Sequence, residues 1–445
     1  MSRLIHRSLR QDPPLALSGE GIFIRDSNGR TIIDGSGGAA VACLGHGHPR
    51  VLEAMRAQAA KISYAHTALY SCESAEALAD LVLAEEPGGL THMYLCSSGS
   101  EATEAALKMA RQYHVERGEP QRARFIARRQ SYHGNTLGAL AASGNAMRRA
   151  LYRPILSDAF SHVSPAYAYR DRRDDESEAD YVARLAAELE AEFQRLGPGT
   201  VAAFVAEPVV GATLGCVTAP QGYFRAMREI CDRHGALLIL DEVMCGMGRT
   251  GTMHAWEQEG VTPDIQVVAK GLGGGYQPVG GILIAGHVVA AIRDGSGAFM
   301  HGHTYQAHPV AAAAALAVQQ AIREEGLLEN VQRMGALLEQ RLTERLGNHR
   351  HVGDIRGRGL FWAVEFVTDR ATKGTFDPAL QLHERVKMAA YERGLACYPM
   401  GGTIDGKHGN HVILAPPYIV TAAQVEAIVE RFGDAVEDAL RSVAA

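Results

Sequence analysis

Ala236-Leu-Leu-Ile-Leu-Asp241-Glu-Val243 and Asp264-Ile-Gln-Val-Val-Ala-Lys270-Gly-Leu-Gly-Gly-Gly275 are the stretches whose reading decides the fold. Each is a brief, mostly apolar run, the second broken only by Gln266, that ends in an ionisable residue. Runs of this length without polar alternation suit strands covered on both faces, as in a parallel sheet. Open α/β sheets present ligand-facing groups at the carboxyl ends of such strands. Asp241 and Lys270 are therefore expected at one sheet edge, with small residues after Lys270 leaving room around its tip.

Outward from this pair, similar runs at 93–96, 124–127, 201–205 and 281–285 alternate with helical periodicity. Ala102, Ala105, Ala106 and Met109 fall on one helix face, and Ser98-Gly-Ser-Glu101 reads as a capping box at its start. Earlier, Asp26-Ser-Asn-Gly29 between β-formers predicts a hairpin. Later, 360–366 reads as a strand, and Thr421-Ala-Ala-Gln424 caps a last helix with Val425, Ile428, Val429, Phe432, Val436 and Leu440 on its apolar face. The charged stretch 170–178 reads as a solvated connection.

A chain of 445 residues exceeds the roughly 250–300 at which one core stops growing. The expected class is α/β: a large domain over 56–325 with a mostly parallel central sheet flanked by helices, and a smaller α+β domain built from 1–55 and 326–445.

The net charge of −6 argues against nucleic acid or an anionic membrane surface as partner. Seven scattered cysteines without a CxxC pair disfavour disulfides and a thiolate metal site, and favour a reducing cytoplasm. Neither a secretory leader nor an apolar run of about 18 residues is recognised. The 48 glycines are the compositional outlier, about 11% against an average near 7%.

Gly246-Met-Gly-Arg-Thr-Gly251 matches the dinucleotide pattern, yet the next strand ends in Lys270 where that fold needs an acid. A nicotinamide dehydrogenase is thus the weak alternative from another class. His46, His48, His301, His303 and His308 lack the partner spacing of a metal site and read as loop histidines; no metal is expected.

What survives is Asp241, Lys270 and Ser97-Ser-Gly-Ser100, the last opening a helix whose free N–H groups suit a phosphate. An amine to form an imine, a carboxylate to keep a pyridine nitrogen protonated and an anion cup are together what pyridoxal 5'-phosphate needs.

These residues sit within an ordered series that resembles the class III, or omega, aminotransferases of the fold type I pyridoxal-phosphate enzymes. The series is Asp34-Gly35, Leu44-Gly-His-Gly-His48-Pro, Ser98-Gly-Ser-Glu-Ala102, Ser131-Tyr-His-Gly134 and Glu207-Pro208. It continues with Leu240-Asp-Glu-Val243, Gly248-Arg-Thr-Gly251, Pro263-Asp264, Lys270-Gly271, His303-Thr-Tyr305, His308-Pro309 and Ala415-Pro-Pro417.

The resemblance implies that Lys270 holds the cofactor as a Schiff base and moves the proton, while Asp241 pairs with the ring nitrogen. It implies Val243 on one ring face, Tyr132 on the other with His133 beside it, and Ser98, Gly99 and Ser100 at the phosphate. Glu207 matches a position near the substrate, and Thr304 reaches the partner subunit's phosphate, which implies a homodimer or a tetramer built on it. The implied reaction is ping-pong transfer from an amine or ω-amino acid to a 2-oxo acid such as pyruvate or 2-oxoglutarate. An aminomutase and a decarboxylating transaminase share the fold and stay open.

Two departures stand out. Ile413 occupies the place of an arginine found in ornithine- and γ-aminobutyrate-type members, and the segment 403–410 is an insertion where Lys407 is a candidate cation. Ala39-Ala40 fills a spot that is often aromatic, which implies a roomier pocket.

Overall fold

A computed structural model describes residues 2–444 of the chain. Near its start, β1 (Ala16–Glu20), β2 (Phe23–Asp26) and β3 (Thr31–Asp34) form an antiparallel meander. The turn between the last two is held by the Asp26 carboxylate, which accepts from the backbone N–H groups of Asn28 and Arg30, both at 2.9 Å.

The central sheet has seven strands. These are β4 (Leu90–Cys96), β5 (Arg124–Arg128), β6 (Phe160–Val163) and β7 (Val201–Ala206) and, after a two-residue ladder of β8 (Val209–Val210) with β9 (Val217–Thr218), β10 (Leu237–Asp241), β11 (Ile265–Val268) and β12 (Gly280–Ala285). Their order is β4-β12-β11-β10-β7-β5-β6, parallel throughout except that β12 runs against both neighbours. β7, β10, β11 and β12 are buried along their whole length, which is why their sequences are almost wholly apolar; the one polar residue inside a run, Gln266 of β11, is satisfied by Trp256 Nε1 and the Glu242 carboxyl. β6, unread in the sequence, is a half-buried edge strand carrying Ser161 and His162, so it lacks that signature.

The C-terminal part adds β13 (Val352–Arg358), β14 (Phe361–Phe366), β15 (Leu395–Ala396), β16 (Tyr398–Gly401) and β17 (Asn410–Leu414). Four of these form an antiparallel sheet, while β15 pairs in parallel with β3 and so joins the two ends of the chain. A hydrophobic cluster with Ile22, Ile33, Leu338, Phe366, Val425 and Phe432 lies beneath these strands, separate from the one packing the central sheet. The terminal helix Ala422–Ala444 begins as read: Gln424 N–H donates to Thr421 Oγ1 and Thr421 N–H to Gln424 Oε1.

The 170–178 stretch differs from expectation. Residues 171–175 are exposed, but Arg170 is half-buried and donates to the Glu365 carboxylate of β14 through Nε at 2.8 Å and Nη2 at 2.6 Å. A fully buried carboxylate needs cationic partners, and Glu365 takes a second, Arg356, at 2.6 Å. Such a partner far along the chain leaves no local signal. The 246–251 segment runs as successive turns, with only the short 3-10 helix Ala255–Glu259 after it, so no helix end is offered to a dinucleotide. Arg249 is buried and donates to the carbonyls of Leu360 at 3.0 Å and Pro416 at 2.6 Å, which makes the motif a bolt between the two sheets.

Candidate active site

β10 and β11 are parallel neighbours with Asp241 opposite Val267, so the Asp241 and Lys270 backbones leave the sheet at the same edge. A cavity of about 390 Å³ opens there. Its walls include Lys270, Asp241, Ser98, Gly99, Ser100, Tyr132, His133, Glu207 and Val243, all predicted from the sequence.

Asp241 is 4% exposed. Its Oδ1 accepts from the Val243 N–H at 3.0 Å, and its Oδ2 faces His133 Nδ1 at 2.8 Å. The second bond assigns the proton of a neutral His133 to Nδ1. His133 is held in turn: its N–H donates to Ser143 Oγ at 2.8 Å, and its carbonyl accepts from Thr103 Oγ1 at 2.7 Å. No independent chemistry was legible for His133 in the sequence; here it orients a buried carboxylate.

Lys270 follows β11 with φ of +34°, a left-handed conformation that costs a lysine energy and persists only where surroundings enforce it. Burial pushes its ammonium pKa down, against the opposing pull of Asp241 and Glu207. Glu207, just beyond β7, accepts from the backbone N–H groups of Tyr132 at 3.1 Å and Gly211 at 3.0 Å. Burial pushes the Glu207 carboxyl pKa up, with His133 opposing.

At the other end, helix Gly99–Glu116 starts behind Ser98, whose Oγ accepts from the Glu101 N–H at 3.2 Å. Glu101 reaches back to the Ser97 N–H at 2.8 Å, one residue before the box read from the sequence. Ser98 Oγ thus serves its own helix, while the free N–H groups of the first turn are those an anion uses. Gly99 leaves room there: a Cβ would stand 3.1 and 3.2 Å from the two Val243 methyls, which would have to shift to admit it. Ser100 Oγ accepts from the Asn135 N–H at 3.0 Å, and Gly134, at φ +138°, admits that contact because a Cβ would lie 2.7 Å from the hydroxyl.

Thr304 is the one predicted site residue outside the cavity walls; it lies exposed in a loop, its carbonyl accepting from Tyr64 Oη at 3.1 Å. His46 pairs with Asp34 at 3.2 Å and His48 with Glu325 at 3.3 Å. Ile413 is buried in an apolar cluster with Ala40 and Met244, and Lys407 is exposed away from the cavity walls. Val41, Met244 and Gln277 also line the cavity, although they lie in turns with no period or motif to mark them. Among the described residues no group of three His, Cys, Asp or Glu is placed to hold a metal, and no helix is long and apolar enough to cross a membrane.

A buried amine, a buried oriented carboxylate and a helix N-terminus kept open by a glycine fit pyridoxal 5'-phosphate. The family described as aminotransferase class-III matches residues 10–436. The chain is a class III aminotransferase. Like its family, the aminotransferase depends on pyridoxal 5'-phosphate and has the fold type I architecture. It is 50% identical to an uncharacterised aminotransferase of Schizosaccharomyces pombe over 96% of this chain and 93% of that protein. It is 36% identical to the diaminobutyrate–2-oxoglutarate transaminase of Halomonas elongata over 95% and 90%. Among solved structures, the omega transaminase of Pseudomonas jessenii in complex with PMP superposes with a TM-score of 0.93 at 33% identity, covering 100% of this chain and 97% of that one. The family assignment leaves the dehydrogenase alternative without support.

Proposed function

We propose that this aminotransferase carries an amino group from an amine or ω-amino acid to a 2-oxo acid, pyruvate or 2-oxoglutarate, in two half-reactions at one site. The observation that carries the reading is the buried Lys270, its pKa lowered by burial, in one cavity with Asp241. The H. elongata relative, a diaminobutyrate–2-oxoglutarate transaminase, supports the same reading, since diaminobutyrate carries a terminal amine.

When bound, the cofactor supplies the carbonyl carbon that takes the amine and a ring that accepts electrons. Lys270 Nζ, its pKa lowered by burial, would take the proton from the substrate carbon and give it back later in the same half-reaction. Asp241 keeps a proton on the ring nitrogen, and His133 aims that carboxylate. Tyr132 and Val243 would close the ring's two faces, and Gly99 and Ser100 would seat the phosphate, with Ser98 as the cap that holds their helix. Glu207 fixes the Tyr132 backbone and offers a carboxyl beside the amine.

Thr304, exposed on its own chain, serves the partner subunit's phosphate, so the working unit is a homodimer with two shared sites. The chain divides at 55 and 325 into a small domain from both ends and a large domain between them. Seven unpaired thiols support a cytoplasmic setting.

The test is a donor panel of amines and ω-amino acids with either oxo acid, scoring aldehyde or ketone product against new amino acid. One-to-one stoichiometry without carbon dioxide is expected, and Lys270→Ala should abolish it. Carbon dioxide release, or product formation without an oxo acid, would sink the reading in favour of the decarboxylating or mutase reaction.

A further inference from the structure

We propose that Arg148 receives the carboxylate of the substrate, a role that rests on the amino-transfer reading above. Its guanidinium carbon lies 4.9 Å from the centre of the Tyr132 ring, and that ring is a wall of the cavity. Arg148 is half-buried, and its Nε is buried without a hydrogen-bond partner. Arg129 holds Glu188 at 3.0 Å, Arg184 holds Glu176 at 2.7 Å and Arg170 holds Glu365 at 2.6 Å, while the adjacent Arg149, whose Nε is also buried without a partner, reaches His162 Nδ1 at 3.4 Å. Among the described residues Arg148 has no such anion, and the ring face compensates only part of the desolvation of its charge. A planar fork left in that state is built to take a carboxylate on two N–H groups.

The position is braced. Arg148 sits in the short helix Ala146–Ala150, where its N–H donates to Asn145 Oδ1 at 3.0 Å. The tip of the β16–β17 hairpin, which contains the insertion, packs on this helix so closely that a Cβ on Gly406 would stand 2.8 Å from the Met147 nitrogen. Gln130 Nε2 donates to the Gly402 carbonyl at 2.8 Å, tying the same tip to the segment that carries Tyr132. The insertion therefore fixes the helix bearing Arg148 against the ring it covers.

Other cations are less suited. Lys270 is committed to the cofactor, position 413 offers an isoleucine in an apolar cluster, Lys407 points to solvent, and Arg7 is exposed on the N-terminal segment. Because Arg148 lies over the Tyr132 ring and is not itself a cavity wall, the donors it favours have a carboxylate several atoms away from the reacting nitrogen, as in an ω-amino acid, and the carboxylate beside the carbonyl of a 2-oxo acid is held elsewhere. A short α-amino acid does not span that distance.

The experiment measures binding of pentanoate and of pentanamide to the cofactor-loaded protein by isothermal titration, with no reaction taking place. Wild type should prefer the carboxylate at least tenfold. Arg148→Gln should erase the preference, Arg148→Lys should keep part of it, and Arg7→Gln should leave it intact. In turnover, the KM of an ω-amino acid should rise about 10- to 100-fold in Arg148→Gln, the loss expected for a charge-assisted pair. Unchanged melting and cofactor absorbance identify the variants as folded. No preference in wild type, a preference retained by Arg148→Gln, or one lost only in Arg7→Gln overturns the proposal. Failure of amino transfer across the whole donor panel would instead strike the reading beneath it, since the binding comparison does not depend on turnover.

Discussion

Replacing Asp241 by Asn removes one charge while keeping nearly the same shape. The Asn Oδ1 can still accept from the Val243 N–H, now at 3.0 Å from the carboxylate. A unit charge in a site of effective dielectric about 20 favours a cation 4 Å away by about 4 kcal/mol, equivalent to about three pKa units on the partner. Asp241 is buried and its orientation is fixed by His133 at 2.8 Å, so little of that field is spent on water. The Asn variant should therefore slow the amine half-reaction by about 10³-fold, read by stopped-flow absorbance of the cofactor. His133→Gln keeps the charge and loosens the aim, so it should cost about tenfold. If the Asn variant runs within fivefold of wild type with an unshifted cofactor spectrum, Asp241 does not hold the ring nitrogen and the electrostatic argument fails.

Arg249→Met should destabilise the fold by about 3–5 kcal/mol, since it strips the Leu360 and Pro416 carbonyls of a charged donor; a loss below about 1 kcal/mol in urea unfolding would refute the bolt. His411 is buried neutral between Thr403 Oγ1 and the Ala212 carbonyl, and burial pushes its pKa down to about 3. Its folded pKa lies below the unfolded value near 6.5, so its contribution is whole above about 6.5 and falls toward pH 3 by up to about 1.4 kcal/mol per unit. His411→Gln should flatten the stability curve in that window, and an unchanged slope in acid denaturation would count against it. Refolding Lys270→Ala together with Thr304→Ala should give mixed dimers with one intact site, and hence more activity than the two variants assayed apart. Simple averaging would remove Thr304 from the partner's site.

What the sequence made legible follows from how each feature is encoded. β7, β10, β11 and β12 announce themselves because burial on both faces favours apolar runs, interrupted only by Gln266, and Asp241 and Lys270 stand where those runs stop. β6 stayed hidden because an edge strand with Ser161 and His162 satisfies no such rule. The same holds at the site. Residues that make local motifs, such as Ser98-Gly-Ser100, were found by their spacing, whereas Val41 and Gln277 reach the cavity only through the fold.

His133 shows the limit most clearly, because its bond to Asp241 joins positions 108 residues apart. The insertion obeys the same logic in the other direction. Its own residues carry no cation into the cavity, and Lys407 faces away. What it contributes is a backbone: Gly402 and Gly406 admit a tight hairpin tip that presses on Ala146 and Met147 and accepts from Gln130. A substitution at Gly406 would therefore act on substrate choice through the placement of Arg148, with Lys270 and Asp241 untouched. With Arg148 as the carboxylate site, substrate choice would depend on how this loop positions a neighbouring helix, which a reading confined to the loop's own side chains misses.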